Sequence, residues 1–388
     1  MKKYVFTLGS PAIGGGTNVI FEHASRMAKE GEMVYIVTDR KIAPEEYAWH
    51  SSAHLLKWVT YDDIIDEEFD MCIVTWWRTV YEAYKVKAKN YVYFVQSIES
   101  KFYPESEQGL KMLVEMTYLL GMKVITEATW IKEYLSKYGI DAYLVHNGIR
   151  KDIYTNKGST YPKCKGLRVL VEGPVDVDFK NIPKTVKLVK ESKADELWML
   201  TSSNIKEYPN VDRVFSRVPP KDCAKIYRSC DVIVKLSYVE GMFGPPLEMF
   251  HCGGTTIVYD VTGHDEYIVH KKNGLVVKTD DDEKVVEYIN KLKEDPNLLK
   301  KLKKEALITA KNWIAWDESS KRFYETIKKI EKKDSITNTE LENKSKFFFN
   351  VYVKYETKYD LSIKKFIGRR LRMKHPKVYK IYRKIIRK

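Results

Sequence analysis

A chain of 388 residues with a formal net charge of +14 is too long for one ordinary domain and suggests two or three. Its longest apolar runs, 92–95 and 257–259, are far too short to cross a bilayer. Its five cysteines, Cys72, Cys164, Cys223, Cys230 and Cys252, are scattered without a Cys-x-x-Cys pair, which argues against a zinc site and for reduced thiols in a cytoplasm.

Residues 1–8 run directly into a glycine loop, without the apolar stretch and cleavage site of a secretory leader. Residues 4–8 read as a strand, Gly14, Gly15 and Gly16 as a loop, and 18–29 as a helix carrying Val19, Ile20, Ala24, Met27 and Ala28. Gly31 ends that helix and 34–37 form the next strand, which completes a βαβ unit with parallel strands. Short apolar strands recur at 71–74, 91–95, 123–126 and 142–145, with helical stretches between several of them. The polar, turn-rich stretch 155–163 is the expected domain linker. A second series then places strands at 167–171, 196–200, 213–215, 232–235, 256–259 and 275–278.

This alternation predicts an α/β chain of two doubly wound, Rossmann-like halves facing a cleft. Helices are expected at 284–293, 298–311 and 313–332. The domains are accordingly read as 1–155, 156–312, a terminal helix at 313–332 packing back toward the first domain, and a linker and tail at 333–388. The linker is the polar stretch 333–346, followed by Phe347, Phe348 and Phe349.

From 361 to 388 there are twelve Lys or Arg and no Asp or Glu, and the rest of the chain carries a net charge of only +2. Ile363, Phe366, Ile367 and Leu371 recur at helical spacing, as do Val378, Ile381, Tyr382 and Ile385 after Pro376. A basic amphipathic helix of this kind suits an anionic membrane surface, where each basic residue contributes about 1 kcal/mol. The same charges suit nucleic acid, and a solvated tail or an oligomer contact is the plain alternative.

The segment between Glu240 and Glu248 holds Gly241, Gly244, Pro245 and Pro246, which break helical geometry. It therefore reads as a loop between the strand at 231–234 and a helix that starts near Pro246, with Glu248 in its first turn. Free amides, a helix N-terminus and two carboxylates in one small volume suit a ligand with phosphates and hydroxyls, a sugar nucleotide.

The string from Leu236 to Glu248 followed by Cys252-Gly253 resembles the signature of the retaining GT-B glycosyltransferases of family 4, the glycosyl transferases group 1. Gly263, Glu266, Asn273-Gly274, the N-terminal glycine loop and Asn147-Gly148 fit the same pattern, and the resemblance covers about residues 1–331. More narrowly, residues 94–99, 102–106 and 171–174 are similar to bacterial surface-glycan rhamnosyltransferases.

The resemblance implies a role for each matching residue. Glu248 would accept hydrogen bonds from both ribose hydroxyls, and Glu240 would bind hydroxyls of the transferred sugar. Met242, Phe243 and Gly244 would present amides to sugar and diphosphate, and Lys180 would neutralise the leaving diphosphate. Gly15 and Gly16, with Gly173, Ser237 and Glu266, complete the expected donor side. His264 would line the donor pocket with Glu266, while His146 reads as structural. Gln96, which replaces a family histidine, joins Glu99 and Trp76 on the acceptor side.

The family arginine after Gly173 is here Pro174, so Lys184 or Lys235 would have to replace it. Neither a metal nor another cofactor is implied. The expected partners are a nucleoside-diphosphate sugar, a glycan or lipid-linked glycan acceptor and, through 361–388, the inner face of the cell membrane, with nucleic acid the lesser expectation. The alternative is a non-catalytic partner subunit of the same shape.

Overall fold

The computed structural model describes residues 1–163 and 165–359, with Leu371 and Val378 as isolated further positions. The amphipathic pattern expected at 361–388 and Cys164 lie outside the described residues.

The N-terminal half runs β1 (Lys3–Thr7), α1 (Gly15–Lys29), β2 (Met33–Thr38), β3 (Lys57–Thr60), β4 (Glu68–Phe69), β5 (Met71–Val74) and α2 (Trp77–Val80). It continues through β6 (Lys87–Ala88), β7 (Tyr91–Val95), α3 (Gln108–Met116), β8 (Lys123–Thr126), α4 (Thr129–Ser136) and β9 (Tyr143–Leu144). Seven of these strands form one parallel sheet in the order β3-β2-β1-β5-β7-β8-β9, and β4 pairs with β6 beside it. All five residues of β7 are buried, as an apolar strand covered on both faces must be.

The second half runs β10 (Arg168–Glu172), α5 (Ile182–Glu191), β11 (Glu196–Thr201), β12 (Arg213–Ser216), α6 (Pro220–Arg228), β13 (Val232–Lys235) and α7 (Gly244–His251). Then follow β14 (Thr255–Tyr259), β15 (Leu275–Val277), α8 (Asp282–Glu294) and α9 (Pro296–Asn312). Its six strands are parallel, in the order β12-β11-β10-β13-β14-β15. Short hydrophobic strands separated by amphipathic helices permit little else, because parallel neighbours need a crossover to connect them.

The chain passes between the halves twice, side by side. Ile149 pairs with Ala315 as an isolated bridge, and a Cβ on Gly148 would meet the Trp316 backbone at 2.4 Å, so only glycine fits that crossing. Helix α10 (Trp316–Ile330) then lies on the first half, where Trp316, Phe323, Ile327 and Ile330 share a core with Tyr4, Phe6 and Phe21.

The polar stretch 333–346, expected as a linker, instead runs into α11 (Asn338–Tyr359), which packs on α3. Thr337 and Glu340 form a reciprocal capping box that starts this helix: the Thr337 N–H donates to Glu340 Oε2 at 2.9 Å, and the Glu340 N–H donates to Thr337 Oγ1 at 3.2 Å. The Asn338 amide donates to the Tyr84 carbonyl at 2.7 Å and to the Tyr91 hydroxyl at 2.8 Å, and Leu341 and Tyr352 are buried. Composition made this segment look open, but a few buried side chains dock it. No helix among the described residues is long and apolar enough to cross a membrane.

Candidate active site in the interdomain cleft

A cleft of about 700 Å³ lies between the halves, lined from both sheets at the carboxyl ends of their strands. Thr75, Gln96 and Glu127 follow β5, β7 and β8, while Glu172 and Lys235 end β10 and β13. A parallel sheet leaves its side chains and loops free at that edge, and the volume suits a small organic ligand.

Lys180 Nζ lies 2.8 Å from each carboxylate oxygen of Glu240. Behind this pair, Lys235 Nζ lies 2.6 Å from Glu172 Oε2, 3.0 Å from the Glu172 carbonyl and 3.7 Å from Glu240 Oε1. The result is a chain of alternating charge. Burial pushes the Glu240 carboxyl up, but the ammonium groups of Lys180 and Lys235 outweigh it and hold it below its ordinary value.

Of the two lysines considered as replacements for the family arginine, Lys235 lines the cleft. Lys184 does not, because it is held at 2.7 Å by Asp280 and 2.8 Å by Asp282 elsewhere on the domain. Pro174 lines the cleft but brings no charge.

Glu248 lines the cleft from α7 beside the buried hydroxyls of Tyr227 and Tyr154. Burial pushes its carboxyl up to about 7, hydrogen bonds from the two tyrosines pull it down, and Glu172 adds to the upward push. It thus sits in a different electrostatic setting from Glu240, eight residues away.

The loop between the two acids is held by the other half of the protein. Met242 donates its N–H to Glu127 Oε1 at 3.1 Å, and the Gly241 carbonyl accepts from Trp130 Nε1 at 3.0 Å. A Cβ on Gly241 would lie 2.1 Å from the Gln96 carbonyl, so a side chain there would force the halves apart. Glu127 is buried and also accepts from Asn147 Nδ2 at 2.8 Å; desolvation raises its carboxyl to about 7 despite both bonds.

Several expected donor-side residues stand elsewhere. The amide of Met242 is already engaged by Glu127, although its side chain lines the cleft. Phe243 is buried in the core of the second half, where its carbonyl accepts from the Tyr267 hydroxyl. Gly173 bonds its N–H to the Leu200 carbonyl at 3.1 Å and, like the fully buried Ser237, does not line the cleft. Glu266 lies outside it too, bonded to the Thr129 N–H and hydroxyl and, at 2.9 Å, to His146 Nε2. Its anionic side chain sits at the N-terminus of α4 in the first half, where the exposed amides draw it. His264 also lies outside the cleft, its Nδ1 2.6 Å from the Val261 carbonyl.

Gly244, Gly15 and Gly16 do line the cleft, as do Gln96, Glu99 and Trp76. Gln96 Oε1 would sit 3.3 Å from a Cβ on Gly16, so the glycine admits this side chain. Glu99 Oε2 accepts from the Trp77 N–H at 2.8 Å and the Tyr93 hydroxyl at 3.3 Å. Burial raises its carboxyl to about 8 against these bonds. Below Gly15 and Gly16, the buried carboxylate of Glu22 pairs with Arg26 and lies 3.4 Å from His50 and from Arg150.

Sequence reading passed over Glu127, Trp130, Tyr154 and Tyr227. Glu127 could have been found, since it follows an expected strand end; the tyrosines carry no local signal.

The architecture is GT-B, the fold of a large class of glycosyltransferases. Residues 180–308 match the family described as Glycosyl transferases group 1, so the second half carries a glycosyltransferase domain. No curated protein sequence matches the chain.

Solved structures similar to it in fold include sucrose-phosphate synthase from Thermosynechococcus elongatus, at 15% identity and a TM-score of 0.68 over 85% of this chain and 99% of that one. Anabaena HepE in complex with UDP-glucose is similar at 13% identity and a TM-score of 0.70, over 85% of this chain and 100% of that one. A mutant of S. aureus TarM, in complex with fondaparinux, alpha-GlcNAc-glycerol and UDP, is similar at 10% identity and a TM-score of 0.66, over 86% of this chain and 100% of that one.

Proposed function

We propose that this protein transfers a sugar from a nucleoside-diphosphate donor to a glycan acceptor, with retention of anomeric configuration. The observation that carries this reading is the Lys180–Glu240 pair, 2.8 Å on both oxygens, in a cleft that Glu248 also lines. Glu248 accepts from the ribose hydroxyls and Glu240 from hydroxyls of the sugar. Lys180 turns from Glu240 to the diphosphate as the donor enters. The Gly244 amide, at the first position of α7, faces the same ligand, while Pro245 and Pro246 have no N–H to offer. The first half, 1–155, takes the acceptor, and 156–312 takes the donor.

In the reaction the bond from the sugar C1 to the diphosphate oxygen breaks and its electron pair stays on the diphosphate. The acceptor oxygen bonds C1 on the face the diphosphate leaves, and its proton passes to a phosphate oxygen. Negative charge grows on the diphosphate as that bond breaks, so a fixed cation stabilises the transition state more than the bound donor. Gln96 offers an amide near the reacting centre where it cannot act as a base. Trp76 and Glu99 border the acceptor.

Rhamnose as the sugar, a lipid-linked bacterial surface glycan as the acceptor, and a station on the cytoplasmic face of the membrane through 361–388 complete the reading. HepE and TarM, whose structures hold UDP-glucose, or UDP with glycan ligands, support a nucleotide-sugar donor.

The test is release of nucleoside diphosphate from UDP-, GDP- and dTDP-sugars with glycan acceptors. Turnover with one of them is expected. No turnover, together with unchanged donor binding in Glu248→Ala, would sink the reading and favour a non-catalytic partner subunit.

A further inference from the structure

Two lysines flank Glu240, and their surroundings differ. Lys180 closes the short helical turn Asp178–Lys180, and both hydrogen bonds of its side chain go to Glu240. Lys235 ends a strand paired on both sides, and its side chain is only 3% exposed. An ammonium has three N–H donors, and Lys235 has three acceptors around it: Glu172 Oε2 at 2.6 Å, the Glu172 carbonyl at 3.0 Å and Glu240 Oε1 at 3.7 Å. Lys180 can therefore move to a new anion by giving up one partner, whereas Lys235 would have to abandon its whole setting.

That asymmetry matters once a donor arrives. Glu240 is only 7% exposed, and a buried carboxylate stripped of its cation protonates. The groups that face it are Lys180, Lys235, the Ser237 hydroxyl and Tyr267, and Lys235 in turn faces Glu172 and Glu248. If Lys180 turns to the diphosphate, Lys235 is the cation that stays.

We propose that Lys235 is the fixed counter-charge of the site, a positioning residue that keeps Glu240 ionised and aimed at the sugar when the diphosphate draws Lys180 away. The proposal rests on the donor reading of Lys180 and Glu240 given above. A purely structural ion pair would need Glu172 alone. The approach of Lys235 to Glu240 ties it to the reaction.

The test compares Lys235→Met, Lys235→Arg and Lys180→Met in the full-length chain. Calorimetry with UDP, GDP and dTDP reads phosphate binding, and hydrolysis of the matching sugar donors across pH reads the state of Glu240. Lys180→Met should weaken binding of the diphosphate that the wild type takes by tenfold or more, and Lys235→Met by less than twofold. Lys235→Met should also move the acid limb of kcat for hydrolysis, measured at saturating donor, upward by at least one pH unit and lower kcat more than tenfold, with Lys235→Arg restoring the limb.

If Lys235→Met weakens diphosphate binding as much as Lys180→Met, Lys235 holds phosphate itself and the proposal is wrong. An unmoved acid limb overturns it as well. Should Lys235→Met fail to fold, Glu172→Gln gives the opposite reading: it removes the carboxylate that competes with Glu240 for the charge of Lys235 and lowers the limb, and an unmoved limb there overturns the proposal. Wild-type protein that binds none of the three diphosphates overturns the donor reading first and this inference with it.

Discussion

Glu127, which follows β8 in the first half of the protein, accepts the backbone N–H of Met242 in the loop that carries Glu240 in the second half, at 3.1 Å. One carboxylate thus sets the position of a loop more than a hundred residues away. Glu127→Ala leaves the Met242 amide and the Asn147 side chain without their partner, a loss of about 1–3 kcal/mol for buried polar groups. We expect a lower melting temperature and faster hydrogen exchange at residues 240–244. Unchanged exchange there would show that the loop holds its own shape.

Replacing Lys180 by Met removes the cation beside Glu240 that the mechanism turns toward the diphosphate. Transition-state charge stabilisation of this kind is commonly worth about 10²–10³ in kcat. We expect a loss of that size, larger than the accompanying change in donor KM. A change confined to KM would mean that Lys180 binds donor and transition state alike.

Glu248 has its carboxyl raised to about 7, chiefly by burial. The ionised form is the better acceptor for two ribose hydroxyls, so donor KM should rise as pH falls through about 7. Glu248→Gln should weaken donor binding about tenfold or more and abolish that dependence. Donor titrations at pH 6 and pH 8 on both proteins check this.

Glu99 is raised from an ordinary 4.5 to about 8, chiefly by burial. The folded state therefore holds this proton more tightly than the unfolded chain does. The stability it confers is complete below about 4.5 and is lost as pH rises toward about 8. Glu99→Gln keeps an acceptor for the Trp77 N–H but has no proton to lose. Its melting temperature should gain on that of the wild type between pH 5 and pH 8, and parallel curves would show that Glu99 ionises freely.

Deleting 361–388 removes twelve basic residues. If they hold the protein on a membrane, co-sedimentation with anionic vesicles should be lost while donor hydrolysis in solution is retained. Undiminished co-sedimentation would place the membrane contact elsewhere.

The alternation of strands and helices, the two α/β halves and the unhelical loop that carries Glu240 were legible in the sequence, because each rests on local periodicity or on Gly and Pro geometry. Even so, α7 begins at Gly244, two residues before the expected start, and the stretch 333–346 runs into a docked helix rather than an open linker. Composition describes the average character of a segment, whereas docking depends on single residues such as Leu341.

The partners in the cleft were decided by tertiary structure alone. Lys184 and Lys235 are equivalent as letters, yet one faces Asp280 and Asp282 and the other lies behind Glu240. Glu266, expected on the donor side, bonds instead to Thr129 and His146 of the other half. Charge pairing depends on distances of a few ångströms between segments far apart in sequence, and those distances exist only once both sheets are folded and face each other.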